Sequence, residues 1–347
     1  MSDTGKIIAL AKALGGSGGG GGGAVVENPA KLREIVTSGR AKSVFEIGDV
    51  IYIPWTNYTP STPVQISMPF VVVDIADCYD DQGVLHKDAL WLQALYAEPE
   101  EIVFDAPEEI AATEETFTEG WYYYLKNEDG SFTQQTVTYG NEIPSGTTYY
   151  HHRLSGAANT LRYGHNRWST SAYRQWLNSK AAKNANWWTA QHDCDVTPTT
   201  AYTNKPGWLY GFSDDWLEIF KPVKVETSCN TVTDGGVTDV TYDRFFLPSL
   251  EQVYGSPQAA DVEGHYWPWW KDATGLDAPS NGTSTDTNPA RMIPNVVQAP
   301  RGAAVNCRLR SASRGYSYLT WIVNYAGYLN NSNASSASRG LPACVIY

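Results

Sequence analysis

Nowhere in its 347 residues does the chain hold an apolar run near the ~20 residues that span a bilayer. It has no block of Lys or Arg either. Charged side chains make up only 18% of it, and the net charge is −12. Phosphate binding needs clustered cations, so this balance argues against nucleic acid and against an anionic membrane surface as partners. The five cysteines (Cys78, Cys194, Cys229, Cys307 and Cys344) are odd in number, far apart and never paired as C-x-x-C. They are expected to be buried free thiols of a protein made in a reducing compartment. Outside the glycine run near the N-terminus there is no G-x-S-x-G elbow. That run lacks the Lys-Ser/Thr that would make it a phosphate loop.

Metal ligands are as sparse. His151 and His152 are adjacent, and in a strand adjacent residues point to opposite faces. His192 and Cys194, with Asp193 and Asp195, lack the second pair that a zinc site needs. Asp277, Asn281, Asp286 and Asn288 offer the oxygen ligands calcium takes, without the spacing of a calcium loop. No metal and no cofactor is expected.

What the chain does have is aromatic: 13 Trp and 22 Tyr, enough to furnish both a core and a contact surface. Residues 1–14 suit a short helix; Lys12 interrupts its apolar stretch, which reads as too short and polar for a secretion signal. Residues 15–23 are glycine but for Ser17, a composition that tethers rather than packs. The domain expected to follow spans 25–347, with 1–24 as attachment segment and tether. Pro29 at a first helical position and Gly39 at the end predict a helix with Leu32, Ile35 and Val36 inward. Residues 44–53 read as strand, turn, strand, and 69–76 as a central strand. Residues 98–119, acidic and without Lys or Arg, read as a solvated segment. Asp129-Gly130 marks a hairpin within an insert at 118–152. Residues 169–190 read as a helix capped by Ser169 or Ser171, with Trp176 and Leu177 inward, and 272–290 as a long polar loop.

The last forty residues read as two sequences laid over one another. A frame runs through Leu309-Arg310-Ser311-Ala312, Trp321, Val323, Gly327, Leu329, Ala334 and the terminal Leu341-Pro342-Ala343-Cys344-Val345-Ile346. Between its members stand fillers: Gly315, Tyr316, Tyr318, Leu319, Ile322, Asn324, Tyr325, Ala326, Tyr328, Asn330, Asn331, Ser332, Asn333, Ser335, Ser336 and Ser338. Tyr, Asn, Ser and Gly dominate them, as in antibody contact loops, where Tyr gives rigid amphipathic area and the small polar residues give adaptable hydrogen bonds.

This string resembles the variable region (308–347) of proteins diversified by retroelements, which have a C-type-lectin-type fold. In such systems adenines of a codon such as AAC are rewritten, which yields Asn, Ser, Tyr, Gly and others but never Trp, Met, Lys, Glu or Gln. Between Gly315 and Ser338 there is no Met, Lys, Glu or Gln. The one Trp, Trp321, stands where the family keeps a fixed one. Upstream, Tyr163-Gly164-x-Asn166-x-Trp168-x-x-Ser171, Arg174-x-Trp176-Leu177-Asn178 and Arg244-Phe245-Phe246-Leu247-Pro248-Ser249-x-Glu251 are similar to other parts of the family's domain, Pro248 being a departure. The resemblance covers roughly 43–347.

It implies an α+β, lectin-type domain in which Trp168, Trp176 and Trp321 are largely buried, the sixteen fillers bind the ligand, and Tyr316, Tyr318, Asn324, Tyr325, Tyr328, Asn330, Asn331, Asn333, Ser335 and Ser336 cluster on one exposed patch. The function implied is non-enzymatic ligand binding, as the receptor-binding protein of a phage tail. The N-terminus would join a tail protein, the fillers would meet a host cell-surface protein or glycan, and the assembly would be a homotrimer in the virion tail. A chromosomally encoded recognition protein of the bacterial cytoplasm or cell surface is the alternative. A formylglycine-type oxidase is a second, since the broad fold includes such enzymes; it would need Cys307 and Cys344 as a reactive pair, whereas both are expected to be structural.

Overall fold

The computed structural model describes residues 18–19, 23–25, 28–106, 110–111, 121–129, 132–137, 148–152, 163–191, 204–255, 262–274 and 305–347. The expected helix at 1–14, most of the glycine run, His192, Cys194 and most of the polar loop at 272–290 lie outside them. The strands are β1 (Gly18–Gly19), β2 (Gly23–Val25), β3 (Val50–Asn57), β4 (Val64–Tyr79), β5 (Leu85–Ala94), β6 (Ile102–Val103), β7 (Ile110–Ala111), β8 (Trp121–Lys126), β9 (Phe132–Val137), β10 (Thr148–His152), β11 (Val223–Ser228), β12 (Thr238–Asp243), β13 (Cys307–Ala312), β14 (Leu319–Val323), β15 (Leu329–Asn333), β16 (Ala337–Gly340) and β17 (Ala343–Ile346). The helices are α1 (Pro29–Thr37), α2 (Ala41–Val44), α3 (Ala172–Leu177), α4 (Asp214–Ile219), α5 (Leu250–Tyr254) and α6 (Pro268–Thr274). The fold is mixed α+β, mostly sheet with few and short helices.

Among the described residues four sheets are formed. The largest runs β1-β2-β3-β4-β5-β17, and a second runs β15-β14-β13-β16-β6. β11 and β12 make a ribbon, and the strands of the hairpin insert together with β7, which precedes it, give the order β7-β10-β8-β9. β4 is central, as its unbroken apolar run predicts, and residues 68–74 are buried. β17 returns from the far end of the chain to pair antiparallel with β5, Cys344 opposite Leu92. All four of its residues are buried. One hydrophobic core therefore runs from Leu32 to Ile346, with Trp168, Trp176, Trp208, Trp267 and Trp270 almost wholly enclosed.

Local chemistry explains the helices. Pro29 opens α1, the Asn28 side chain accepts from Lys31 N–H, and Gly39 follows at φ +71°. Ser171 caps α3 by accepting from Arg174 N–H at 3.2 Å.

Four expectations need correction. The first strand expected within 44–53 does not form: Val44 ends the helix α2, whose Ala41 packs inward four residues before the buried Phe45, and β3 begins only at Val50. The helix expected over 169–190 is only six residues long. It stops at Asn178, whose side-chain oxygen accepts from Arg244 and Phe245 N–H and whose amide donates to Phe245 O, satisfying a distant segment instead of the next turn. The acidic stretch is not wholly solvated. Glu98, Phe104 and Asp105 are buried, because β6 within that stretch pairs with β16. Trp321 is half-buried rather than enclosed; it lies on β14 opposite Asn331 of the edge strand β15, with only part of its ring on the core.

Candidate recognition face

Residues 313–340 run from one buried strand, β13, to another, β17. Between them lie a turn at 313–318, the β14–β15 hairpin with its turn at 324–328, a third turn at 334–336, and β16. β14 and β15 are antiparallel from Leu319 opposite Asn333 to Val323 opposite Leu329.

Side chains from outside the filler set hold the main chain of each turn. Asn166 is fully buried, and its amide nitrogen donates to the carbonyls of Tyr316 and Leu319 at 2.7 and 2.8 Å. Its main-chain N–H donates to Ser317 O, and its side-chain oxygen accepts from Asn230 at 2.9 Å. Thr231 donates from both N–H and Oγ1 to Arg314 O. At the hairpin tip, Asn306 accepts from Tyr325 N–H at 2.9 Å and the Tyr254 hydroxyl donates to Gly327 O at 2.9 Å. Gly327 sits at φ +81°, where a side chain would be strained. Beneath the third turn the buried Arg308 guanidinium donates to Ser332 O, Asn333 O and Ser336 O, and also to the Thr320 hydroxyl. Ser335 N–H completes the set by donating to Tyr163 O at 2.6 Å.

Above these clamps the fillers differ in exposure. Tyr316 is 47% exposed and Tyr325 61%, and Gly315 and Asn330 are open as well. Tyr318, Leu319, Ala326, Tyr328, Asn331, Ser332, Asn333, Ser335 and Ser336 are half-buried.

Three fillers are buried, against expectation. Asn324 closes its own turn, its Oδ1 accepting from the N–H groups of Ala326 and Tyr328. Ile322 pairs with Arg308 on an inner position of its sheet. Ser338 lies against the Arg308 guanidinium on β16, which is covered on both sides by β13 and β6. The expected single patch also divides. Tyr316 and Tyr318 share one end of the hairpin with 333–336, where Tyr318 stacks 5.3 Å from Tyr163 and meets Tyr316 edge-on at 5.9 Å. Tyr325 and Tyr328 stand at the other end, five strand residues away.

The electrostatics are those of a neutral surface on a charged base. No residue from 315 to 338 is ionisable except through its tyrosines. Burial lowers the Arg308 pKa to about 10, which leaves the guanidinium protonated at neutral pH. Cys307 and Cys344 are buried free thiols, and burial pushes both well above the usual thiol range. Sequence reasoning missed most of the clamps. Asn166 was visible as a motif member, but Asn230, Tyr254, Asn306 and Arg308 gave no signal beyond, for Arg308, an arginine set between Cys307 and Leu309 in an apolar strand.

A separate cleft of about 170 Å³ is walled by Trp91, Phe246 and Trp267. His265 stands at its rim, 2.5 Å from Asp74. The Glu263 carboxylate there is engaged by Ser228 N–H and the Ser311 hydroxyl. Among the described residues no group of three or more His, Cys, Asp or Glu is placed to hold a metal ion, and no helix is long and apolar enough to cross a membrane.

A family model matches residues 148–346, more than half of the chain, and the chain belongs to that family, DUF6273, a domain of unknown function. The match takes in the last strand of the insert, every clamp and the whole of the face. No curated protein and no solved structure matches.

Proposed function

We propose that this is a hypervariable ligand-binding protein of lectin-type fold, diversified by a retroelement and serving as a phage tail receptor-binding protein. One observation carries the reading. The turns of 313–336 are held mostly through main-chain atoms, by side chains that lie outside the filler set: Asn166, Thr231, Tyr254, Asn306 and Arg308. Hydrogen bonds to a carbonyl or an N–H do not depend on the side chain that residue carries. Tyr316, Tyr325 or Asn330 can therefore change while the backbone keeps its course. A mixed α+β fold of several small sheets is compatible with the lectin-type domain. In this reading the protein has no catalytic group, the N-terminal residues join a tail protein, trimers multiply weak contacts, and the ligand is a host-surface protein or glycan.

The decisive observation is genetic: a second, near-identical copy of the segment encoding 308–347, differing only at adenines, beside a reverse-transcriptase gene. Biochemically, Tyr316→Ala with Tyr325→Ala should abolish adsorption to host cells and leave the thermal midpoint nearly unchanged. Unaltered adsorption, or a template differing at all four bases, would end the proposal.

A further inference from the structure

The segment 305–347 carries four arginines and no acidic residue, in a chain whose net charge is −12. Two of the four meet carboxylates. Arg310 feels the buried Glu263, and Arg339 comes within 3.7 Å of Glu101. The other two form no ion pair among the described residues, although Glu263 also feels the charge of Arg314. Arg308 bonds only to hydroxyl and carbonyl oxygens, and its Nε is buried without a partner. Arg314, half-buried at the start of the face, donates to one acceptor, Gly236 O at 3.4 Å, with no carboxylate among the described residues at ion-pair distance.

Arg314 is nevertheless held in place. Its carbonyl takes two bonds from Thr231, and its guanidinium lies against the Gly236 main chain, where a Cβ would come within 2.7 Å of Nη2. The next residue, Gly315, is open, and beyond it the rings of Tyr316 and Tyr318 meet at 82°.

We infer that Arg314 is a constant anchor for the carboxylate of an acidic saccharide, gripped beside the Tyr316–Tyr318 corner. The inference rests on the recognition-face reading and adds the chemistry of the ligand. A guanidinium matches a carboxylate with two parallel hydrogen bonds, and no other charge on residues 315–338 competes for it. Because Arg314 lies outside the filler set, it supplies the same acidic-group contact to every variant, while the fillers select the rest of the sugar. A saccharide fits better than a protein. The only large hydrophobic side chains exposed on 305–347 are Tyr316 and Tyr325, and the remainder of the face is amide and hydroxyl. Tyrosine rings set among hydrogen-bonding groups suit the C–H faces and hydroxyls of a sugar.

The test is calorimetric titration of the full chain with a panel of uronic- and sialic-acid oligosaccharides and with their methyl esters, followed by amide shifts in NMR spectra. The acids should bind about tenfold or more tightly than their esters, a preference that shrinks at high salt. Shifts should centre on 313–319. Arg314→Gln should bring the acid down to the ester's affinity, and Arg314→Lys should keep part of the difference. Equal binding of acid and ester, with shifts still on 313–338, would remove the anchor and leave the recognition face standing. Saccharide shifts elsewhere on the chain would remove both. Binding of a polyglutamate peptide with no saccharide bound, or of neither, would overturn the saccharide assignment.

Discussion

The side-chain amide of Asn166 donates at 2.7 Å to the carbonyl of Tyr316, while the Tyr316 ring stands half in solvent. Backbone and side chain of one residue thus answer to different demands, one to the fold and the other to whatever the surface meets. Asn166→Ala would strand the Tyr316 carbonyl and take one partner each from the Leu319 carbonyl, which keeps Ser313 N–H, and the Asn230 amide, which keeps Asp234. The expected loss is about 1–3 kcal/mol for each buried group left unpaired. Tyr316→Ser should stay within about 0.5 kcal/mol of the parent. Urea unfolding of the two variants decides the matter; similar losses would contradict the division of labour.

Arg308 holds from below the carbonyls of Ser332 and Asn333 at the end of β15 and of Ser336 in the third turn. Arg308→Met keeps the stem and removes every donor. It is expected to cost at least about 3 kcal/mol and to speed hydrogen exchange at Ala334, Ser335 and Ser336, whose N–H groups bond Tyr318 O, Tyr163 O and Asn333 O. Unchanged exchange at those amides would show that the turn stands without the guanidinium.

Cys307 and Cys344 are expected to be inert. Their thiols are buried and stay protonated at neutral pH, so native protein should resist alkylation. Replacing either by Ser should cost about 1–3 kcal/mol, as a hydroxyl buried without a partner does. Bound copper, or an oxidase activity lost with either change, would restore the formylglycine-type alternative.

Glu98 makes stability depend on pH. Burial lifts its pKa from 4.5 to about 8, against the lowering effect of the Tyr173 hydroxyl and the Gly340 N–H that it accepts from. The folded chain therefore holds this proton more tightly than the unfolded one. Its contribution is complete below pH 4.5 and is lost as pH rises through about 8. Urea midpoints should fall across that window in the parent, and Glu98→Gln should flatten the decline. A slope that persists unchanged in the Gln variant would assign it to another group.

Much of this architecture was legible because it depends on neighbours in sequence. Pro29 and Gly39 bracket α1, the run at 69–76 lies in the central β4, and β8 and β9 flank the turn that Asp129-Gly130 marks. What escaped depends on distance. Asn178 stops its helix to serve residues 67 positions away, and Asn166 reaches across 150. Asn324 shows the opposite limit. Its composition matched the exposed fillers, yet its side chain is consumed by its own turn, which residue type alone does not reveal. Trp321 was read from its size, whereas its position opposite Asn331 of an edge strand decides how much of it is covered.

The return of β17 to β5 has a consequence for how this chain can change. The segment between β13 and β17 leaves one sheet and leads into the other, so its two ends are pinned at a set separation. Within that span the hairpin register and the clamped turns leave no slack. One added residue between Leu319 and Asn333 would turn the following side chains to the opposite face and draw the carbonyls of Ser332, Asn333 and Ser336 away from Arg308. The segment is expected to behave as a text of fixed length, in which letters can be exchanged at the open positions but not inserted or struck out. A process that varies it by substitution alone suits this geometry, and one that shuffles loops of different lengths does not.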